Sequence, residues 1–240
     1  MIEVTHLVKR FGPKTILRNL DFQVAQGEFV ALLGPNGAGK TTFLRILSSL
    51  SRQTMGNVQI AGFSLPHQAA AVRRKLGVVS HQPLLYGDLS AEENLTFYSR
   101  MYAIDHFERR VSEILELVGL ANRRRDLVRT FSRGMQQRLA IGRSVLHDPE
   151  VLLLDEPHTG LDQDACDMLD TVLLQVAARG RTLVMTSHDL SRVSDLASRF
   201  DVLTRGRIQN SIQRADLPAD GLLTFYRSTL ANSVAEKEPA

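Results

Sequence analysis

A glycine-rich stretch between two apolar segments restricts the fold of this chain more than any other feature. Phe29 to Leu33 are apolar throughout, as in a fully buried strand, and apolar side chains recur at helical spacing from Phe43 to Leu47. The stretch between them reads Gly34-Pro35-Asn36-Gly37-Ala38-Gly39-Lys40-Thr41. A buried strand that turns through glycines into a helix is typical of an α/β fold with a parallel sheet.

The same stretch has the residue types that an anion-binding loop requires. Glycines let backbone N–H groups turn inward around phosphate oxygens, and the positive end of the following helix points at the same anion. The order of Gly, four residues, Gly, Lys and Thr is complete and lies in the required strand–turn–helix context. We therefore expect Lys40 to reach the β- and γ-phosphates of ATP, Thr41 to ligate Mg²⁺ and Thr42 to bond the α-phosphate. The predicted nucleotide-binding residues of this loop are Gly34, Pro35, Asn36, Gly37, Ala38, Gly39, Lys40, Thr41 and Thr42.

Two acids follow a second buried strand further along the chain. Val151 to Leu154 are apolar, and Asp155 and Glu156 come directly after them. Because a strand end holds a carboxylate rigidly, Asp155 is predicted to hold the water shell of Mg²⁺ and Glu156 to act as the general base. Adjacent acids at a strand end are also common turn formers. The phosphate loop upstream favours the catalytic interpretation.

The remaining pattern divides the chain into strand–helix units and one helical stretch. Strands and helices alternate outside residues 86–148, which predicts a mostly parallel sheet covered on both faces. Inside that stretch, helices are predicted at Ala91 to Met101, Phe107 to Val118 and Met135 to Leu146, the first of them after a Ser90-x-x-Glu93 capping box. We predict a single domain over residues 1–230, a helical subdomain inserted at about 86–148, and a disordered tail at 231–240.

Composition narrows the class of protein. The apolar fraction of 43% and the charged fraction of 23% are those of a globular chain of 240 residues. No run approaches the roughly 18 apolar residues that cross a bilayer, and the start of the sequence lacks a secretory signal, so a cytoplasmic location is expected. The single cysteine, Cys166, leaves no internal disulfide. The basic clusters carry no interleaved aromatic residues, so no nucleic-acid partner is expected.

A segment shortly before the Asp155 strand points to a family. It reads Phe131-Ser132-Arg133-Gly134-Met135-Gln136. From the residues alone, Ser132 caps a helix that starts near Arg133, and an ordinary capped helix explains the segment equally well. The segment also resembles the Leu-Ser-Gly-Gly-Gln signature of the nucleotide-binding domains of ABC transporters, and the resemblance covers Ile2 to Asp216.

This resemblance implies a site shared between two chains. Ser132, Gly134 and Gln136 are then expected to bind the nucleotide that a second copy holds at its phosphate loop. The residues Phe131, Arg133 and Met135 depart from the commonest form of the signature, which leaves the rate of hydrolysis open. The implied fold is a P-loop NTPase with a mostly parallel core sheet, an N-terminal antiparallel β subdomain and the inserted helical subdomain.

Four further positions resemble functional residues of the family. Phe11 resembles the aromatic residue that stacks on adenine, although a lone phenylalanine is more often a core residue. Gln82 resembles the glutamine that senses Mg²⁺ and the attacking water, and its neighbour His81 is expected to be structural. Asp162 lies in the loop through which the subunits sense each other. His188 resembles the histidine that contacts the γ-phosphate, although an isolated histidine is usually unremarkable.

The implied function is that of a motor subunit. The chain is expected to bind ATP and Mg²⁺ as a homodimer, with catalytic residues Glu156, His188 and Gln82 and metal ligands Thr41, Gln82 and Asp155. Polytopic permease subunits are the expected partners, at the inner face of the cell membrane. Several segments are similar to the haem-exporter branch that serves cytochrome c maturation. The alternatives are export of drugs or lipids and a soluble ABC-type ATPase in iron–sulfur, DNA or ribosome processes.

Overall fold

The computed structural model describes residues 1–80 and 82–235, and within these ranges it gives two sheets and a set of flanking helices. The strands are β1 Ile2–Phe11, β2 Lys14–Val24, β3 Phe29–Leu33, β4 Met55–Ile60, β5 Phe63–Leu65, β6 Leu76–Val79, β7 Val151–Asp155, β8 Thr182–Thr186, β9 Arg199–Thr204 and β10 Arg207–Gln213. The helices are α1 Lys40–Leu47, α2 Ala69–Lys75, α3 Ala91–Met101, α4 Phe107–Leu117, α5 Arg133–Val145, α6 Gln163–Ala178, α7 Leu190–Leu196 and α8 Gly221–Ala235.

The larger sheet has six strands in the order β10-β9-β3-β8-β7-β6. Its strands pair in parallel except β10, which is antiparallel to β9. Strands β3 and β8 are buried at every position, as expected for a sheet covered on both faces. The predicted P-loop NTPase fold with a mostly parallel core sheet is therefore confirmed. Because parallel strands end at one edge, the residues that follow β3, β7 and β8 meet there.

The smaller sheet is antiparallel, with four strands in the order β2-β1-β4-β5. It covers one face of the larger sheet, and strand β3 divides its side chains between two apolar cores. Phe29, Ala31 and Leu33 belong to the core shared with the helical stretch. Val30 and Leu32 pack instead with the small sheet and helix α1. The alternation follows from the period of two along a strand.

Between β6 and β7 the chain forms the helices α3, α4 and α5. The predicted capping box at the start of α3 is confirmed, because the Ser90 side chain accepts from the Glu93 amide and the Glu93 carboxylate accepts from the Ser90 amide. Helix α5 starts at Arg133, as the Ser132 cap predicts and two residues before the start that the apolar period indicates. Helix α4 packs through Val111, Ile114 and Leu115 on the apolar core that the subdomain shares with the larger sheet.

Three elements differ from the prediction. Strand β5 and helix α2 were not expected, because β5 has three residues and α2 buries only Val72 completely, so neither gives a clear period. Helix α8 was not expected either, and it continues to Ala235, inside the segment predicted as a disordered tail. The rest of that segment, 236–240, lies outside the described residues. In the part of the chain that the structure describes, no helix combines the length and apolarity that crossing a bilayer requires.

Candidate nucleotide-binding site

The phosphate loop connects the end of β3 to the start of α1. Gly34, Gly37 and Gly39 have φ values of 150°, 81° and 114°, which side-chain-bearing residues rarely adopt. A Cβ at Gly34 would lie 2.1 Å from the Leu203 carbonyl oxygen, so the loop also requires glycine for its packing. No side chain caps α1, and its first N–H groups therefore remain available to an anion.

Lys40 lies over this loop. Its Nζ donates to the Gly34 carbonyl oxygen at 2.7 Å and lies 4.0 Å from a carboxylate oxygen of Glu156. Burial lowers the pKa of Lys40, and the carboxylates of Glu156 and Asp155 oppose that shift. A lysine so placed is a cation with little competing water, which favours binding of an anionic phosphate.

Asp155 joins the loop to the neighbouring strands. The Thr41 hydroxyl donates to the Asp155 carboxylate at 3.2 Å. Thr186, which is fully buried at the end of β8, donates to the same oxygen at 2.8 Å and accepts from the Glu156 amide at 2.9 Å. One threonine therefore fixes the direction of both acids. The hydroxyl of Thr41 and the carboxylate of Asp155 are the hard oxygen ligands that Mg²⁺ prefers.

Glu156 turns back towards the loop. Its φ of 51° lies in the left-handed region, which costs about 1–3 kcal/mol for a residue other than glycine and is kept where the surroundings enforce it. One carboxylate oxygen hydrogen-bonds His188 Nδ1 at 2.7 Å, and the other faces Lys40. The side chain of His188 is 67% exposed, so this histidine reaches from the protein surface into the site.

These groups surround a cleft of about 570 Å³. Its lining is formed by Lys14, Ile16, Pro35, Asn36, Gly37, Ala38, Gly39, Lys40, Thr41, Thr42, Glu156, Thr159 and His188. Loop amides, Lys40, the Thr41 hydroxyl and the Glu156 carboxylate meet here, with Asp155 bonded to Thr41, and this set of groups fits a nucleotide triphosphate with its magnesium ion. The sequence did not single out Lys14, Ile16 or Thr186. The fold alone brings Lys14 and Ile16 to the cleft and places Thr186 behind it, against Asp155.

The predicted site residues Phe11 and Gln82 lie outside the cleft lining. Phe11 is 53% exposed at the tip of the β1–β2 hairpin, where it pairs with Lys14, and Lys9 Nζ lies 4.6 Å above its ring. It is therefore no core residue, and its ring is available beside the cleft. Gln82 is exposed in the loop after β6 and does not line the cleft. Its neighbour His81 lies outside the described residues.

The signature segment Phe131 to Gln136 does not line the phosphate cleft. Ser132 is exposed and caps α5 through a hydrogen bond from the Met135 amide, which confirms the predicted cap. Gly134 is buried, and a Cβ there would lie 2.6 Å from the Cβ of Ala165, so glycine lets α5 approach α6 closely. The side-chain Nε2 of Gln136 donates to the carbonyl oxygens of Val128 and Phe131 within its own chain, both at 3.4 Å.

A second cleft of about 350 Å³ separates the signature helix from Glu156. It is lined by Pro83, Arg133, Gln136, Gln137, Glu156, Pro157 and Thr159. The guanidinium of Arg133 lies against Gly160, where a Cβ would come within 2.4 Å of it. The residue that departs from the common signature therefore packs on the loop after Glu156, and no ion-pair partner of Arg133 occurs among the described residues.

The loop from Pro157 to Asp162 is fixed at both ends. His158 Nε2 lies 2.6 Å from the Asp170 carboxylate, which also pairs with Arg192 of α7. Asp162 caps α6 by accepting from the Ala165 amide at 2.8 Å and is itself exposed. Its carboxylate therefore has a structural role within one chain. The sequence did not indicate the pairing of His158 with Asp170.

Fold and cleft together define a P-loop nucleotide-binding domain, and comparison with known proteins gives the family. The family profile described as ABC transporter matches residues 17–159. The linearmycin resistance ATP-binding protein LnrL of Bacillus subtilis is 36% identical over 87% of this chain and 68% of its own length. The daunorubicin resistance ATP-binding protein DrrA3 of Streptomyces coeruleorubidus is 38% identical over 86% of this chain and 66% of its own. The chain belongs to the ABC transporter ATP-binding family, and it binds ATP with Mg²⁺.

Solved structures agree with this assignment. A structure described as an ATP-binding subunit of an ABC transporter covers 96% of this chain and 99% of its own, with a TM-score of 0.86 and 28% identity. A dimeric post-hydrolysis state of the ATP-binding cassette MJ0796, bound to ADP and Pi, covers 89% of this chain and 99% of its own, with a TM-score of 0.80 and 27% identity. Dimerisation and ATP hydrolysis are therefore properties of the family.

Proposed function

We propose that this chain is the ATP-hydrolysing motor of an exporter, and that two copies enclose two ATP molecules between them. The observation that carries the proposal is the division of the phosphate-binding groups over two faces. Lys40 and Glu156 line the cleft at the phosphate loop, whereas the exposed Ser132 does not line it. A second copy is the natural source of a nucleotide for Ser132.

The groups of one chain divide the reaction between them. Lys40 and the loop amides hold the phosphates, and the amides at the start of α5 meet the γ-phosphate of the other copy's nucleotide. Glu156 accepts the proton of the attacking water, and His188 orients that carboxylate through their hydrogen bond. When bound, Mg²⁺ neutralises charge on the phosphates through the Thr41 and Asp155 oxygens. After cleavage the γ-phosphate no longer joins the two copies, and they separate.

The substitution Glu156→Gln tests the catalytic part. We expect turnover to fall at least about 100-fold, since a general base contributes roughly 10²–10⁴ in rate. ATP binding should persist, and the protein should accumulate as an ATP-dependent dimer in size-exclusion chromatography with light scattering. Glu150→Gln is the matched control, because Glu150 precedes the same strand and pairs with Lys75 at 2.5 Å, away from the cleft. Full turnover in the Glu156→Gln variant would defeat the proposal.

A cluster of exposed apolar side chains on α3 and the loop before it supports a permease as partner. Tyr86, Phe97 and Met101 are exposed by 49%, 39% and 68%. A shallow cleft of about 630 Å³ lies beside them, with Phe97 and Met101 in its lining and Glu93 and Arg100 as its charged groups. An apolar groove with a charged rim suits an amphipathic segment of another protein, and we assign it to a permease at the inner face of the membrane.

Phe97→Glu tests this partner. We expect the wild-type protein to co-elute with a polytopic membrane protein from detergent-solubilised membranes, and the variant to lose it while keeping ATP affinity. Leu174→Glu is the matched control, since Leu174 is 46% exposed on α6. Co-elution of a soluble scaffold or of nucleic acid instead would favour the soluble ABC-type ATPase.

The relatives guide the choice of cargo. LnrL and DrrA3 are named for resistance to linearmycin and daunorubicin, and the relative from Cupriavidus pinatubonensis, 36% identical over 86% of this chain, is named for Nod factor export. These names support export of a drug or lipid-like molecule over haem export for cytochrome c maturation. Deletion of the gene should therefore raise susceptibility to an amphiphilic antibiotic and leave the content of c-type cytochromes unchanged. Unchanged susceptibility together with a loss of c-type cytochromes would instead favour haem export.

A further inference from the structure

The loop that carries Gln82 is tied at both ends to the helical subdomain. At the strand end, Arg143 Nη2 of α5 donates to the Val78 carbonyl oxygen at 2.9 Å. Beyond the loop, the Tyr98 hydroxyl of α3 donates to the Leu84 carbonyl oxygen at 2.6 Å. Gln82 lies between these two ties, exposed, and no hydrogen bond of its side chain is found among the described residues.

The two tying side chains also contact each other. The guanidinium carbon of Arg143 lies 5.2 Å from the centroid of the Tyr98 ring, a cation–π contact. Burial raises the pKa of Tyr98 and lowers the pKa of Arg143, so both groups are partly shielded from water. The bond from Arg143 to Val78 is partly buried, where a hydrogen bond is electrostatically stronger than in water, whereas the bond from Tyr98 to Leu84 is exposed.

The backbone at the second tie is strained. Leu84 has a φ of 51°, although its side chain is 54% exposed and gains little from packing. A left-handed residue of this kind costs about 1–3 kcal/mol and persists where neighbours enforce it. The Tyr98 hydroxyl holds the carbonyl of this residue, and Asn94 of the same helix bonds both the N–H and the carbonyl of Tyr86. Helix α3 therefore fixes the direction in which the Gln82 loop enters the subdomain.

Helix α5 connects the first tie to the signature. Ser132 caps its start and Arg143 lies eleven residues later, about 16 Å along the helix axis. The end of α5 also packs tightly on β6, because a Cβ at Gly77 would lie 2.3 Å from the Ser144 carbonyl oxygen. A displacement of α5 at Ser132 therefore reaches the start of the Gln82 loop through a rigid element.

We propose that Tyr98 and Arg143 act as a clamp that positions Gln82 for the nucleotide when Ser132 of the same chain engages the second copy. The clamp deepens the proposed function and rests on it, since it requires the two-copy arrangement. Tyr98 and Arg143 are positioning residues, which act through Gln82 and contact neither the nucleotide nor the attacking water. Glu156 and Lys40 need no such device, because strands of the core sheet hold them.

Tyr98→Phe tests the clamp, because it removes the hydroxyl and keeps the ring beside Arg143. We expect kcat for ATP to fall about two- to fivefold with KM unchanged, as for the loss of one exposed hydrogen bond that matters in the transition state. In a Gln82→Ala background the same substitution should have no further effect. Tyr102→Phe is the matched control, since Tyr102 stacks on His147 and no bond of its hydroxyl occurs among the described residues.

A second readout does not depend on turnover. In the Glu156→Gln background, Tyr98→Phe should raise the Mg²⁺ concentration at half-maximal ATP-driven dimerisation, and Tyr102→Phe should not. Additive effects of Tyr98→Phe and Gln82→Ala, or equal effects of the two tyrosine variants, would overturn the clamp while leaving the motor intact. A wild-type protein that neither dimerises with ATP nor hydrolyses it would overturn both.

Discussion

The phosphate cleft and the signature helix differ in how far a single chain completes them. At the cleft, Lys40, Asp155 and Glu156 are held by buried strands and by Thr186, and their bonds are made within one copy. At the signature helix, Ser132 is exposed, and its hydroxyl caps its own helix. Under the proposed function, ATP binding and dimerisation therefore depend on separate groups, and substitutions should separate them.

The largest expected effect is on ATP binding at the cleft. Lys40→Met should weaken ATP affinity by at least about 30-fold, because truncating one partner of a buried charge pair costs roughly 2–5 kcal/mol. Isothermal titration calorimetry measures this. The control Lys14→Met removes an exposed lysine at the edge of the cleft, and its effect should stay within about threefold. Equal losses in the two variants would show that the cleft does not depend on the buried lysine.

The next largest effect is expected where the signature helix α5 packs on strand β6 of the core sheet. Gly77→Ala places a Cβ 2.3 Å from the Ser144 carbonyl and should reduce the free energy of unfolding by about 1–3 kcal/mol. Gly87→Ala is the control, since its Cβ would meet Arg129 at an ordinary 3.5 Å. Urea unfolding followed by circular dichroism distinguishes them. Equal stability of both variants would mean that α5 moves freely on β6, which contradicts the tight packing.

Ser132→Ala and Ser90→Ala form a matched pair at the two capped helix starts of the subdomain. Each loses an N-cap and should lower the free energy of unfolding by about 1 kcal/mol. Only Ser132→Ala should also weaken ATP-driven dimerisation in the Glu156→Gln background, while its monomer keeps normal ATP affinity. If both variants dimerise alike, Ser132 is an ordinary cap and the second copy does not use it.

The smallest effect concerns pH. Burial lowers the pKa of Lys40 from its ordinary value of 10.5, and only the charged amine attracts phosphate. The amine is charged below its pKa, so ATP affinity should decline as pH rises towards this lowered value. The decline should begin at a lower pH than it would for a lysine with the ordinary pKa. Calorimetry at several alkaline pH values checks the direction. The residual affinity of Lys40→Met should show no such decline, and a parallel decline in that variant would exclude Lys40 as the cause.

The elements of the core were predictable because their signals are local. The apolar run Phe29–Leu33 and the glycine pattern after it predict a strand, a turn and a helix from neighbouring residues alone. The short strand Phe63–Leu65 and helix Ala69–Lys75 were missed, since too few of their residues are buried to give a period. Helix Gly221–Ala235 was missed because its Leu222 and Phe225 become buried only when the helix packs on α7, β9 and β10.

The candidate site shows the same limit. The order of residues singled out Lys40, Asp155 and Glu156, whose roles follow from their place after buried strands. It could not find Thr186 as their common hydrogen-bond partner or Lys14 as a wall of the cleft, because those contacts join residues far apart in sequence. Gln82 was singled out by resemblance, but its place outside the cleft lining and the bonds that tie its loop to Tyr98 and Arg143 required the fold.

The sequence by itself determined the class of this protein, since the chemistry of a phosphate loop is written in consecutive residues and needs one strand and one helix. Only the tertiary structure decided which groups face the same nucleotide and which face outward. Lys40, Glu156 and His188 converge because parallel strands end at one edge of the sheet. Ser132 lies outside that cleft because its helix belongs to an inserted subdomain, which is positioned by its packing on the core.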